Sequence, residues 1–139
     1  MVTHEDLESF LIRMDLEYQE IEEGMYLVRS RNGGSPLVVN HSPPLLLLRM
    51  KVMDLPEAGA APTELFRTLL ELNATDMVHG AYGLEERELI LSDTLELETL
   101  DFHELQASIE SMQLAAAGHI ERIWSLAGVP AGQPAGKEG

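Results

Sequence analysis

Along this chain the apolar residues recur first at helical steps, then in alternation, and finally at helical steps again. Leu7, Phe10, Leu11 and Met14 fall three or four apart and share one side of a helix. Thr3 stands ahead of them as a capping hydroxyl, and Glu5 and Asp6 favour the helix dipole. A first amphipathic helix is therefore predicted over about residues 4–15. Tyr18, Ile21, Tyr26 and Val28 are strand formers on either side of Gly24, which supports a bend or bulge between two pieces. RNGGS at 31–35 signals a turn, and PLVVNH at 36–41 reads as the next strand. Ser42-Pro43-Pro44 breaks pairing before LLLLRMKVM at 45–53. In that strand Leu46, Leu48, Met50 and Val52 form one face, and Leu45, Leu47, Arg49, Lys51 and Met53 the other. Apolar residues on both faces predict cover on both sides, from the domain's own helices or from another subunit.

LPEAGAAP at 55–62 reads as a loop, and Pro62 can open a second helix. Leu65, Phe66, Leu69, Leu70 and Leu72 make the apolar side of that helix, which ends near Asn73. Two strands are predicted next, Met77–Leu84 and Glu88–Leu97, joined by Glu85-Glu86-Arg87. Leu89, Leu91, Leu95 and Leu97 share one face of the second strand; Asp93 falls in phase with them, so a bulge or strand end is expected there. Asp101 with Glu104 is a capping box for the longest helix. Its apolar stripe runs through Phe102, Leu105, Ile109, Met112, Ala116, Ile120, Ile123 and Ala127. Ala107, Ser111, Ala115 and Gly118 make a second, small-residue face that permits close approach of another element. Gly128 and Pro130 end the helix, and 128–139 has the composition of a disordered tail, leaving one domain over 1–127. The order α-β-β-β(-β)-α-β-β-α, with strands grouped and antiparallel, predicts an α+β two-layer domain with helices packed on an antiparallel sheet.

Charge narrows the function classes. With 24 acidic against 9 basic residues the chain carries −15. Such a surface repels phosphate backbones and anionic lipids, so direct nucleic-acid or membrane binding is disfavoured. It suits a basic protein partner, which can itself bind nucleic acid, and it also accounts for solubility with no partner at all. There is no cysteine, which removes disulfides, thiolate metal sites and Cys nucleophiles. The acidic start MVTHEDLESF lacks the pattern of a signal peptide, and the apolar run at 45–48 is far too short for a membrane span. A cytoplasmic protein is expected.

No catalytic, cofactor-binding or metal-binding residue is assigned. The ribbon from His79 to Asp101 is rich in carboxylates, but Glu96 and Glu98 lie on its polar face and Asp101 has a capping role. Asp93 is the exception, and a small-ligand or enzymatic site built from Asp93, His79 and Tyr82 is the alternative reading. Gly80 and Gly83 lead into a strand rather than a helix N-terminus, so they read as relief of crowding and not as a phosphate loop. The five histidines are dispersed without ligand spacing. Two features favour binding: the doubly apolar strand 45–53, and Trp124, one step off the stripe of the long helix. That tryptophan reads equally as an interface anchor or as a large residue closing the core. Leu45, Leu47, Arg49, Met53 and Trp124 are the expected partner or dimer contacts.

A family resemblance adds to this. The stretch from LFRTLLELNAT through GAYGLEERELILSDTLELETLDFHELQASIESM resembles the YbjN family, which has the fold of type III secretion (CesT-like) chaperones. The matching features are Leu-Leu-Glu-Leu-Asn at 69–73, the two-strand ribbon with its acidic turn, and Leu-Asp-x-x-Glu-Leu at 100–105. The order of elements agrees over residues 3–127. The resemblance implies a homodimer that binds other proteins and has no catalytic residues. Chaperones of this fold hold an extended client segment on apolar surface patches. A purely structural subunit of a permanent complex is a third reading.

Overall fold

Thr3 and Asp6 satisfy each other's backbone at the start of the first helix. The Asp6 N–H donates to Thr3 Oγ1 at 3.1 Å and the Thr3 N–H to Asp6 Oδ2 at 3.0 Å, closing a capping box. This begins α1 (His4–Arg13), and Arg31 donates to the carbonyls of Met14 and Asp15 just beyond its end. The structure, a computed structural model, describes residues 1–31, 33–56 and 62–129. After α1 come β1 (Tyr18–Glu22), β2 (Met25–Val28), β3 (Leu37–Ser42), β4 (Leu45–Asp54), α2 (Thr63–Thr75), β5 (Ala81–Glu85), β6 (Glu88–Glu96) and α3 (Phe102–Ala127). The first run of strands is thus four, with Pro43-Pro44 as the tight connection between β3 and β4. Part of the expected 55–62 loop and, from Pro130 on, the expected disordered tail lie outside the described residues. Gly128 ends α3 in the left-handed conformation (φ 81°), and the Val129 N–H returns to the Trp124 carbonyl at 2.8 Å.

The sheet has six strands in the order β1-β2-β3-β4-β6-β5, every neighbouring pair antiparallel. One face is the core face. Tyr26, Val28, Leu37, Val39, Leu46, Leu48, Met50, Leu89 and Leu91 are buried there. Leu7 and Leu11 of α1, Leu65, Leu69 and Leu72 of α2, and Leu105, Ile109, Met112 and Ile123 of α3 join the same cluster. The three helices therefore cover one side of the sheet, giving the expected α+β two-layer arrangement. Leu70, expected on the apolar side of α2, is 69% exposed.

Three local expectations change. Met53 does not share a face with Leu45 and Leu47: the β4–β6 register shifts between Lys51 and Met53, a bulge that turns Met53 into the core opposite Leu89, at 1% exposure. Asp93 marks neither a bulge nor a strand end; it pairs in register with Leu48. β5 begins at Ala81 rather than Met77, because Gly80 sits at φ +86° with room for nothing larger. A Cβ there would lie 3.0 Å from the Ser92 carbonyl and 3.3 Å from Met112 Cγ, so α3 and the sheet close on this glycine. Gly83, by contrast, faces open space.

Candidate functional site

The sheet face away from the helices holds Leu45, Leu47 and Arg49. Leu47 lies opposite Asn40 and Thr94, Arg49 opposite Val38 and Ser92, and Leu45 opposite Ser42 and Glu96. Val38 is in turn opposite Leu27, and Asn40 opposite Met25. Met25, Leu27, Val38, Leu45 and Leu47 are all half-buried, shielded by one another and by no described helix. The result is an apolar stripe across β2, β3 and β4. Its border is ionic: Arg49 pairs with Glu85 and, at 3.3 Å, with Glu88, while Lys51 reaches Asp54 at 3.0 Å. These partly exposed pairs contribute little to stability. They do fix Arg49 at the rim, where it is neutralised by carboxylates of β5 and β6.

Trp124 is elsewhere. It lies on the helical layer, half-buried against the core cluster. Beside it a cavity of about 440 Å³ opens between the C-terminal half of α3, the core face of β4 and the β2–β3 connection. The structure thus separates the five expected contact residues: three on the open sheet face, Met53 in the core, and Trp124 at a cavity on the other layer.

The alternative trio does not meet. The Tyr82 hydroxyl donates to His119 Nδ1 at 2.7 Å, and His119 Nε2–H donates to Asp76 Oδ2 at 2.8 Å. Burial, reinforced by the charge of Asp76, pushes the Tyr82 hydroxyl well above the usual tyrosine range, so it stays a proton donor. The backbone of Tyr82 is held as well: its N–H donates to Asn73 Oδ1 at 2.8 Å and its carbonyl accepts from Asn73 Nδ2 at 3.1 Å. This network ties the end of α2, the edge strand β5 and α3 together, with every polar group engaged. Asp93 is engaged separately, with Ser108 Oγ at 2.5 Å and the Thr94 N–H at 2.9 Å. His79 lies half-buried in the α2–β5 connection. Among the described residues no three His, Asp or Glu side chains gather in a manner that could hold a metal ion.

Sequence reasoning missed Asn73, Asp76, Ser108 and His119. Each acts across elements far apart in the chain, and a polar residue beside an apolar stripe carries no local sign of its distant partner.

With the geometry in place, comparison with known proteins is informative. The CesT_Tir_1 family model matches residues 1–128. No curated protein matches the chain. Among solved structures, the ExoU–SpcU complex from the type III secretion system of Pseudomonas aeruginosa matches at 12% identity and TM-score 0.65, over 83% of this chain and 95% of that one. YbjN from E. coli matches at 10% identity and TM-score 0.63, over 86% and 89%. The Yersinia pestis type III secretion chaperone SycH, solved with a stable fragment of YscM2, matches at 16% identity and TM-score 0.57, over 84% and 98%. At these identities the likeness is one of fold. Since the family model runs from the first residue through the last helix, the chain belongs to the CesT_Tir_1 family and has the fold shared by YbjN and the type III secretion chaperones.

Proposed function

We propose that the chain is a non-enzymatic protein-binding module, chaperone-like or regulatory, that docks a segment of a partner protein and works as a homodimer in the cytoplasm. The observation that carries this reading is the open sheet face, where apolar side chains from three adjacent strands lie under no described helix. The solved relatives of this fold that contain a second protein support a protein partner here as well: SycH holds a fragment of YscM2, and SchA is solved in a chaperone–effector complex. The charge of −15 selects a basic segment, including one from a nucleic-acid-binding protein. Leu70 and Leu114, 69% and 72% exposed on α2 and α3, offer apolar surface for a second copy. No described helix is long and apolar enough to cross a membrane.

The test compares tagged wild type with Leu47→Asp in pull-downs from source lysate, alongside sedimentation of the purified protein. One or two proteins recovered by wild type and lost with a folded Leu47→Asp variant are expected, together with a dimer in sedimentation. Equal recovery by both forms refutes docking on this face, and a monomer at cellular concentration refutes the dimer.

A further inference from the structure

We propose that the stretch following α3, residues 130–137, folds back as a strap over the cavity beside Trp124 and closes it within the same chain. This contact is internal to one molecule and does not depend on the protein-binding reading. The cavity walls are Met50 and Val52 of β4 and Ala116, Ala117, Ile120 and Trp124 of α3, with no charged side chain among the lining residues. Such a surface gains from a cover that excludes water. The way the chain leaves α3 says what supplies it. The Gly128 N–H donates to the Ser125 carbonyl at 3.2 Å and the Val129 N–H to the Trp124 carbonyl at 2.8 Å, around Gly128 in the left-handed conformation. Val129 is half-buried and packed against the core. The backbone therefore turns inward at Trp124, the end of the cavity, instead of running on along the helix axis into solvent.

The residues that come next suit the place. Pro130-Ala131-Gly132-Gln133-Pro134-Ala135-Gly136 carries no charge and only one long side chain, and its two prolines bring no N–H under cover. Small residues of this kind match walls that are themselves small at Ala116 and Ala117. Reach and charge agree as well. Lys137 is the first charged residue after the helix. Extended at about 3.1 Å per residue, the chain from Pro130 to Lys137 covers about 22 Å. On α3 the distance from Trp124 back to the exposed Glu110 is about 21 Å. A strap laid along the cavity thus delivers its lysine beside a carboxylate. Tethering decides between this stretch and a free competitor, because a short linker holds it at an effective concentration in the millimolar range.

The chain has no cysteine, so Ala135→Cys gives the full-length protein a single attachment point for a nitroxide. Amide signals of Val52, Ala117 and Ile120 should broaden in its NMR spectrum, while those of Leu47 and Thr94 on the opposite sheet face stay sharp. Glu110→Lys, a change at an exposed position, should lower the closed-to-open ratio about two- to fivefold, the value of one exposed ion pair. Adding Lys137→Glu to that variant should restore it. Broadening as strong at Leu47 as at Ala117, or none at either, overturns the strap. Broadening that ignores both charge changes overturns its placement along α3. In a mixture of isotope-labelled wild type with unlabelled nitroxide-bearing protein, no broadening is expected at Ala117; its appearance there assigns the cavity to the tail of a second copy and likewise overturns the proposal.

Discussion

Asp93 and Ser108 meet beneath α3 on the face of β6 that otherwise carries leucines, the serine fully buried and donating to the aspartate at 2.5 Å. Removing either partner strands the other: Ser108→Ala leaves a carboxylate oxygen short of a donor, and Asp93→Leu leaves a buried hydroxyl without its acceptor. Each single change should cost about 1–3 kcal/mol in urea unfolding. The double variant Asp93→Leu/Ser108→Ala restores an apolar pair and should return close to wild type, giving a coupling of about 1 kcal/mol or more. Additive losses in that cycle would show that the two groups do not depend on each other. The sequence marked Asp93 as the acidic residue in phase with the leucines, but it held no sign of Ser108, because a lone serine beside the apolar stripe of α3 shows no partner until the helix is laid on the strand.

At the scale of elements, β5 is the outermost strand on its side of the sheet, and the Asn73 amide occupies the place where a further strand would pair with Tyr82. The arrangement blocks strand addition at that point while holding α2 against the sheet. Asn73→Ala should lower stability by about 1–3 kcal/mol and speed hydrogen exchange at the Tyr82 amide more than at the β4–β6 ladder. Uniform acceleration across the sheet would instead mean that Asn73 acts only through global stability. Periodicity located the helices and strands well where one face alone is apolar, as in α1, β6 and α3. It failed at Met53 because β4 is apolar on both faces, and a strand without alternation gives no phase in which a bulge can be seen. The sequence marked Gly80 as relief of crowding, yet the late start of β5 was hidden, since the groups that crowd it, Met112 and Ser92, are remote in sequence.

The whole molecule combines an acidic surface with buried phenols, and this sets its response to alkali. Burial, aided by Glu20 and Glu8, pushes the Tyr26 hydroxyl up to about 12, and burial raises Tyr82 as well. Folded values above the unfolded value of about 10 mean that both tyrosines contribute their full stability below pH about 10. That contribution is lost as pH climbs towards about 12. The urea midpoint should therefore fall across this window in step with ionisation followed at 295 nm, and a midpoint flat to pH 12 would contradict the burial of Tyr26. Of the expected contact surface, Leu45, Leu47 and Arg49 were legible as a set because alternation groups them on one face. Their division from Trp124 was not, since only the layering of helices over the opposite face decides it. That layering also rests on a long-range pairing: β4 gains β3 from the adjacent hairpin, but gains β6 only after α2 and β5 have been traversed. Closing so long a loop is slow compared with forming the meander. During synthesis the N-terminal half emerges with the second edge of β4 unpaired and apolar on both faces. Until Glu88–Glu96 leaves the ribosome, the long apolar strand that will pair with it is itself a segment in need of shielding.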